Sequence, residues 1–214
     1  MSLLHIFDMD GTLLRGTTAS LELGRRMGCL DKVQEYERAA AHGEIDNRRF
    51  HEVCQALWVN TTIADLCAAF EAAPWMLGLR ELMEDITARG EFSAVISMSP
   101  SFWVERLLLW GVGSTYATEV SLGSPMVDHA KVLTHRSKLE IVSRLRGLYS
   151  LGITECVAYG DSRSDYELFG ELPFTVAVNG DSLLEKKARA SYRGRDLRVA
   201  YTLGRGLLNG QARR

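Results

Sequence analysis

Two aspartates, one residue apart, follow an apolar run near the start of the chain. The run at 3–7 is followed by Asp8, Met9, Asp10 and Gly11. If the run is a strand, residues two apart point to the same face, so the two carboxylates would lie close together. Two anions at such a distance require a cation or a shared proton. The pattern therefore predicts a metal-assisted site in which Asp8 attacks as a nucleophile, Asp10 carries a proton, and Gly11 lets the backbone approach a phosphate.

Polar residues also follow two later apolar runs. Ser97 comes directly after the run at 92–96, and its hydroxyl could donate to a phosphate oxygen. Asp161 follows the run at 154–159, and its carboxylate would complete an all-oxygen set with the Asp8 carboxylate and the Asp10 backbone carbonyl. Oxygen ligands with open positions for water and phosphate suit Mg²⁺.

A lysine stands where a surface lysine is not expected. Lys138 lies near the middle of the apolar face of a helix predicted at 137–149, and it lies in the first turn, where a cation opposes the helix dipole. A cation on a core-facing side needs an anionic partner. The predicted carboxylate and phosphate site would supply that partner.

Two polar residues close in sequence to Ser97 and Asp161 can be explained as helix caps, without a role in catalysis. Ser99 is expected to cap a helix in which Pro100 is the first residue. Asp165 fits a capping box with Ser162, and acids are favoured in a first helical turn.

The order of apolar and amphipathic segments predicts the elements that position these residues. Strands are expected at 3–7, 92–96, 115–120, 154–159 and 174–178, and helices at 77–89, 101–110, 137–149, 163–169, 181–190 and 196–208. This alternation predicts an α/β fold, a Rossmann-like parallel sheet with helices on both faces. Ligands of such sheets bind at the carboxyl ends of the strands, where the candidate residues stand. The segment at 16–76 has no strand pattern, and its amphipathic runs at 18–28, 31–41, 47–58 and 62–73 predict a helical insertion.

Charge and composition narrow the possible partners. The formal net charge of the 214 residues is −2, so no nucleic-acid partner is expected. No apolar segment reaches the length of a membrane span. The four cysteines lack metal-binding spacing, which favours reduced thiols in a cytoplasmic protein. The oligomeric state is left open.

Taken together, these motifs resemble the haloacid dehalogenase superfamily of phosphohydrolases, and their order and spacing resemble its phosphoserine-phosphatase-like branch. The matching positions are Phe7-Asp8-Met9-Asp10-Gly11-Thr12-Leu13, then Ser97, then Lys138, then Gly160-Asp161 through Asp165. The resemblance implies a haloacid dehalogenase-type core at 1–15 and 77–214, with a small helical cap at 16–76.

The same resemblance implies a Mg²⁺-dependent phosphatase that hydrolyses a small-molecule phosphate monoester through an aspartyl-phosphate. Asp8 would attack phosphorus, and Asp10 would protonate the leaving oxygen and later deprotonate water. The implied phosphate-binding residues are Gly11, Thr12, Ser97, Met98 and Lys138. The implied metal ligands are Asp8, Asp10 and Asp161, with Asp165 supporting the metal site or Lys138.

Departures from the branch weaken phosphoserine as the substrate. The acid that holds the substrate amine is replaced by Thr17, and the cap arginine that holds the substrate carboxylate falls near Cys54. Arg48 or Arg49 could replace that arginine only with a changed register. Two alternatives stay open: a phosphoryl-transfer enzyme such as a sugar-phosphate mutase, and a non-catalytic binding or regulatory protein on the same scaffold.

Overall fold

A parallel sheet forms the centre of the computed structural model, which describes residues 2–211. Its strands are β1 (Leu4–Phe7), β2 (Phe92–Pro100), β3 (Ser114–Thr118), β4 (Cys156–Gly160), β5 (Thr175–Val178) and β6 (Ala190–Tyr192). Their order across the sheet is β3-β2-β1-β4-β5-β6, and all neighbouring pairs are parallel. The predicted α/β fold is confirmed.

The register of the three central strands brings their carboxyl ends together. Phe7 pairs with Val95 of β2 and with Tyr159 of β4. β1 therefore ends beside Val95 and Tyr159, and β4 ends one residue later, whereas β2 continues to Pro100. The segment that follows β1, which begins with Asp8, therefore lies beside the carboxyl-terminal parts of β2 and β4.

Ten helices surround the sheet within the described residues. Between β1 and the next helix of the core lie α1 (Ala19–Arg26), α2 (Leu30–Ala41), α3 (Asn47–Leu57) and α4 (Ile63–Ala72), called here the four-helix segment. The others are α5 (Leu79–Ala88), α6 (Ser101–Val104), α7 (His135–Tyr149), α8 (Tyr166–Glu171), α9 (Ser182–Lys187) and α10 (Leu197–Gln211). Thr18, Asp46 and Thr62 cap α1, α3 and α4 with their side-chain oxygens, which explains where these helices begin.

Both faces of the sheet are covered by apolar side chains, as buried parallel strands require. Phe7, Val95 and Tyr159 belong to the core on one face, and this core continues into the four-helix segment through Phe50 and Trp58. The Phe7 and Tyr159 rings stack at 4.4 Å. The core on the other face includes Leu4, Ile6, Ala158, Ile141 and Val142, where the last two lie on α7.

The structure differs from the predicted elements in a few places. The region predicted as a helix at 163–169 begins with a 3-10 turn at Arg163–Asp165 before α8. The short edge strand β6 was not predicted, because Ser191 is exposed, its two neighbours are only partly buried, and the segment lacks an apolar run. Among the described residues, no helix combines the length and apolar character needed to cross a bilayer. The four cysteines are free thiols.

Candidate active site

Lys138 lies at the centre of a buried cluster of charges. Its Nζ donates to Asp8 Oδ1 at 2.6 Å, to Asp165 Oδ1 at 2.7 Å and to Ser164 Oγ at 3.2 Å. An ammonium has three donors, and each of them has a partner here. Burial by itself would lower the pKa of Lys138, but the charges of Asp165 and Asp8 outweigh it and raise the pKa. The lysine is therefore a permanent cation at the carboxyl edge of the sheet.

Asp165 takes part in this cluster and does not cap a helix with Ser162. The Ser162 side chain makes no capping bond. Asp165 is almost fully buried, and its second oxygen accepts from the Asp161 backbone N–H at 3.2 Å. The capping-box interpretation of Asp165 was therefore wrong.

Three carboxylate oxygens lie within 4.8 Å of one another, one each from Asp8, Asp161 and Asp165. Burial raises the pKa of Asp8 to about 7, although the charge of Lys138 opposes this shift. Burial also raises the pKa of Asp161 to about 9, and the charges of Asp8 and Asp165 add to the shift. When all three carboxyl groups are ionised, their negative charges outnumber the single positive charge of Lys138.

These residues fit a divalent cation. Asp161 Oδ1 is buried, and no hydrogen-bond donor among the described residues reaches it. The Asp161 carboxylate packs against Gly11, whose φ is 79°, and a Cβ at Gly11 would lie 2.0 Å from Asp161 Oδ2. Only glycine leaves room for the carboxylate there. A crowded all-oxygen set with an unsatisfied oxygen is the kind of site that Mg²⁺ prefers.

Asp10 has a different environment from the other carboxylates. Its Oδ1 accepts from the Ala19 backbone N–H at 2.9 Å, and its Oδ2 accepts from the Ser99 hydroxyl. Burial raises the pKa of Asp10 to about 6, while the bonds from Ser99 and Ala19 oppose the shift. A carboxyl group with this pKa can hold or release a proton near neutral pH. The two oxygens of Asp10 are thus bonded to Ala19 and Ser99 and not to Lys138.

The end of β2 carries the predicted Ser97 and Met98. Ser97 Oγ accepts from the Ser99 backbone N–H at 3.1 Å. The Met98 carbonyl accepts from His51 Nε2 and from Thr118 Oγ1, each at 2.9 Å. Ser97 is buried, and the Met98 carbonyl is already bonded within the protein.

Ser99 was predicted as a helix cap, and this prediction was wrong. Strand β2 continues to Pro100, α6 begins at Ser101, and no side chain caps it. The Ser99 hydroxyl donates to Asp10 instead. The alternation of Ser97 and Ser99, two residues apart on a strand, is the signal that could have revealed this contact.

His51 was also missed. It comes from α3 in the four-helix segment, is fully buried, and reaches the strand end that carries Ser97. Burial lowers the pKa of His51 to about 4, so the ring is neutral. Its spacing from Phe50 and Cys54 on the buried face of α3 shows that it faces inward, but not which carbonyl it contacts.

Thr12 is a further predicted phosphate-binding residue. Thr12 is fully buried, and its hydroxyl has no partner among the described residues.

A groove of about 1170 Å³ lies between β3 and the segment at 119–133, lined in part by Tyr116, Met126 and Arg144. None of the four site aspartates lines this groove, so the clustered site is elsewhere.

Comparison with known proteins identifies the family. The sequence model described as haloacid dehalogenase-like hydrolase matches residues 6–170, a range that includes every candidate site residue. The chain belongs to the haloacid dehalogenase-like hydrolases. The predicted resemblance is thereby confirmed.

Relatives of this haloacid dehalogenase-like hydrolase include a phosphoserine phosphatase of Methanocaldococcus jannaschii. The two sequences are 23% identical over 199 residues, and the alignment covers 91% of this chain and 94% of that protein. A substrate-bound phosphoserine phosphatase structure matches with a TM-score of 0.78 and 21% identity, over 94% of this chain and 98% of that one. A HAD family hydrolase from Salmonella enterica serovar Typhi matches with a TM-score of 0.82 and 18% identity, over 92% of this chain and 69% of that one. At these identities the structures show a shared fold.

The positions at which this haloacid dehalogenase-like hydrolase departs from the phosphoserine branch have other partners. The Thr17 hydroxyl donates to Glu22 Oε1 at 2.7 Å. Cys54 is fully buried. Neither arginine considered as a replacement reaches the site, because Arg48 is exposed and Arg49 pairs with Glu52 at the surface.

Proposed function

We propose that the protein is a Mg²⁺-dependent phosphatase that hydrolyses a small-molecule phosphate monoester through an aspartyl-phosphate on Asp8. The observation that carries this proposal is the contact of 2.6 Å between Asp8 Oδ1 and Lys138 Nζ inside the buried acidic cluster. Membership of the hydrolase family and the relatives named phosphoserine phosphatase support it.

Asp8 is the nucleophile in this proposal. One carboxylate oxygen of Asp8 forms a bond to phosphorus while the bond from phosphorus to the alcohol oxygen breaks. The ammonium of Lys138 favours the ionised form of Asp8, which the attack requires. Lys138 and the Ser97 hydroxyl also offset charge on the transferring phosphoryl group.

Asp10 acts as the general acid in the first half of the reaction and as the general base in the second. The leaving alcohol oxygen takes a proton from Asp10 in the first half. In the second half Asp10 takes a proton from the water that attacks phosphorus, which releases inorganic phosphate and restores the Asp8 carboxylate. A pKa of about 6 suits a group that must both give and take a proton.

Asp8 and Asp161, together with the Asp10 carbonyl, would hold the Mg²⁺. The unsatisfied Asp161 Oδ1 supports this assignment. Asp165 would hold Lys138 in place through its contact of 2.7 Å. A bound divalent ion would supply further positive charge to the phosphoryl oxygens.

We also propose that residues 16–76 form a cap over a core made of 1–15 and 77–214. Two contacts from the four-helix segment to the site support this division: Ala19 N–H to Asp10, and His51 to the Met98 carbonyl. A segment that touches both the proton carrier and the end of β2 is suited to close over a substrate and exclude water.

The relatives are named for phosphoserine, but two positions argue for another small phosphate ester here. Thr17 and Cys54 carry no charge, and Arg48 and Arg49 lie outside the site. We propose a small-molecule substrate without the carboxylate and amine pattern of phosphoserine. Free thiols at Cys54 and Cys156 fit the proposed cytoplasmic location.

Phosphate release from an aryl phosphate in Mg²⁺ tests the proposed function. Asp8→Asn should abolish turnover, whereas Asp31→Asn, an exposed acid on α2, should leave it unchanged. Acid quenching of the wild-type reaction should yield one phosphoryl group on the peptide that contains Asp8. Full turnover by Asp8→Asn would contradict the assignment of the nucleophile.

A further inference from the structure

We propose that Ser99 is a positioning residue whose hydroxyl orients the Asp10 carboxylate for both proton transfers. The proposal rests on the proposed function, in which Asp10 gives and then takes a proton. Ser99 itself touches neither the phosphoryl group nor the attacking water in this scheme. It acts through Asp10.

Two donors from different parts of the chain hold the Asp10 carboxylate. Ser99 comes from the end of β2 and donates to Oδ2, and the Ala19 N–H at the start of α1 donates to Oδ1 at 2.9 Å. The carboxylate cannot rotate without losing both bonds. Bonds to an ionised group are among the stronger hydrogen bonds in proteins. The plane of the carboxylate is therefore fixed relative to the sheet.

Ser99 is itself held firmly. Only 7% of the residue is exposed, its N–H donates to Ser97 Oγ, and the preceding carbonyl of Met98 is bonded to His51 and Thr118. The pairing of β2 with β3 shifts register between Ile96 and Pro100. Such irregularities re-aim side chains and are common next to active sites. Here the irregularity spans the residue that contacts Asp10.

A hydroxyl suits a partner that changes its protonation state. It donates to the ionised carboxylate, and it can accept from the carboxyl group once Asp10 carries a proton. The contact can therefore persist through both halves of the reaction. Because the bond stabilises the anion, it opposes the rise in the Asp10 pKa that burial causes.

The test compares Ser99→Ala, Ser99→Thr and Ser101→Ala. Ser101 is the matched control, because it is a nearby serine whose hydroxyl bonds to the Val120 carbonyl at 3.2 Å and not to Asp10. The measurements are kcat and KM for an alkyl phosphate and for an aryl phosphate with an acidic phenol. Thermal melting shows which variants are folded.

We expect Ser99→Ala to lower kcat on the alkyl phosphate by about 10²-fold, the usual scale of one proton-transfer contribution, with little change in KM. The loss should be smaller for the aryl phosphate, because its leaving group needs no proton. Ser99→Thr should restore most of the rate, and Ser101→Ala should match the wild type.

An unchanged kcat on the alkyl phosphate in folded Ser99→Ala, or an equal loss on both substrates that Ser99→Thr does not restore, would overturn the proposal. If Ser99→Ala does not fold, Ser99→Cys, which keeps the shape but donates weakly, takes its place with the same expectation. A wild-type protein that hydrolyses no phosphate ester in Mg²⁺ would refute the proposed function instead. The two failures are therefore distinguishable.

Discussion

Lys138 Nζ and Asp8 Oδ1 lie 2.6 Å apart, and the lysine side chain is only 1% exposed. Asp165 contacts the same ammonium at 2.7 Å. One buried cation thus serves two carboxylates from separate parts of the chain. This arrangement links the stability of the sheet edge to the ionisation of the proposed nucleophile.

Replacement of Lys138 by Met should abolish turnover and destabilise the fold. It leaves Asp8 and Asp165 buried without their cation, a change that costs about 3–5 kcal/mol for buried pairs. Protonation of Asp8, whose pKa is already about 7, relieves part of this cost. Urea unfolding at neutral pH measures the loss. Addition of Asp165→Asn to Lys138→Met should recover part of the stability and none of the turnover; a double variant no more stable than the single one would count against the shared cation.

Stability without metal should fall as pH rises. The pKa values of Asp10, Asp8 and Asp161 in the folded protein are about 6, about 7 and about 9, all above those of an unfolded chain. The folded state therefore binds more protons than the unfolded state across this range, and its stability decreases as pH increases through it. Mg²⁺ bound only by the folded state should offset the loss. Melting temperatures in EDTA and in Mg²⁺ should diverge as the pH is raised.

Asp161→Asn is the control for this pH dependence. It removes the group with the highest of the three pKa values, so the decline in EDTA should become shallower. The Mg²⁺-induced rise in melting temperature should also shrink. Parallel curves with and without Mg²⁺ in the wild type would show that the cluster does not hold the ion.

Local patterns predicted the parts of the site that depend on position along one element. The apolar run before Asp8 and the helical face around Lys138 each indicated where a side chain would point, and the sheet order then brought them together. Ser99 and Asp165 were harder, because each also fitted a local helix cap. The Asp10 partner of Ser99 is separated from it by 89 positions, and the Lys138 partner of Asp165 by 27. Such contacts depend on strand register, which the sequence of one segment does not contain.

His5 should support the fold and not the reaction. It is fully buried on β1, where its Nε2 donates to Glu91 Oε2 at 3.0 Å and its Nδ1 accepts from the Tyr159 hydroxyl at 3.2 Å. Glu91 also pairs with Arg205 of α10 at 2.6 Å. His5→Leu leaves the buried Tyr159 hydroxyl without its partner, at a cost of about 1–3 kcal/mol, and removes one of the two donors to Glu91. Denaturant unfolding should show the loss, while kcat at a temperature where the variant is folded should be unchanged.

The exposed His42 provides the comparison for His5. His42→Leu should change neither stability nor kcat, since this residue follows α2 at the surface. A reduced kcat in folded His5→Leu would show that β1 transmits strain from His5 to Asp8. That result would contradict the purely structural role assigned here.

Gly11 and Gly16 offer a matched pair for testing the carboxylate site. Both have positive φ angles, 79° and 64°, so alanine strains the backbone at either position. A Cβ at Gly11 would lie 2.0 Å from Asp161 Oδ2, whereas a Cβ at Gly16 would meet nothing within 4 Å. Gly11→Ala must therefore displace the Asp161 carboxylate, and Gly16→Ala need not. Both variants should lose stability through backbone strain, and Gly11→Ala should lose more because of the clash with Asp161. Only Gly11→Ala should weaken Mg²⁺ activation, by about 10–100-fold in half-saturation. Equal Mg²⁺ responses in the two variants would mean that the close approach of Asp161 to Gly11 has no part in holding the ion.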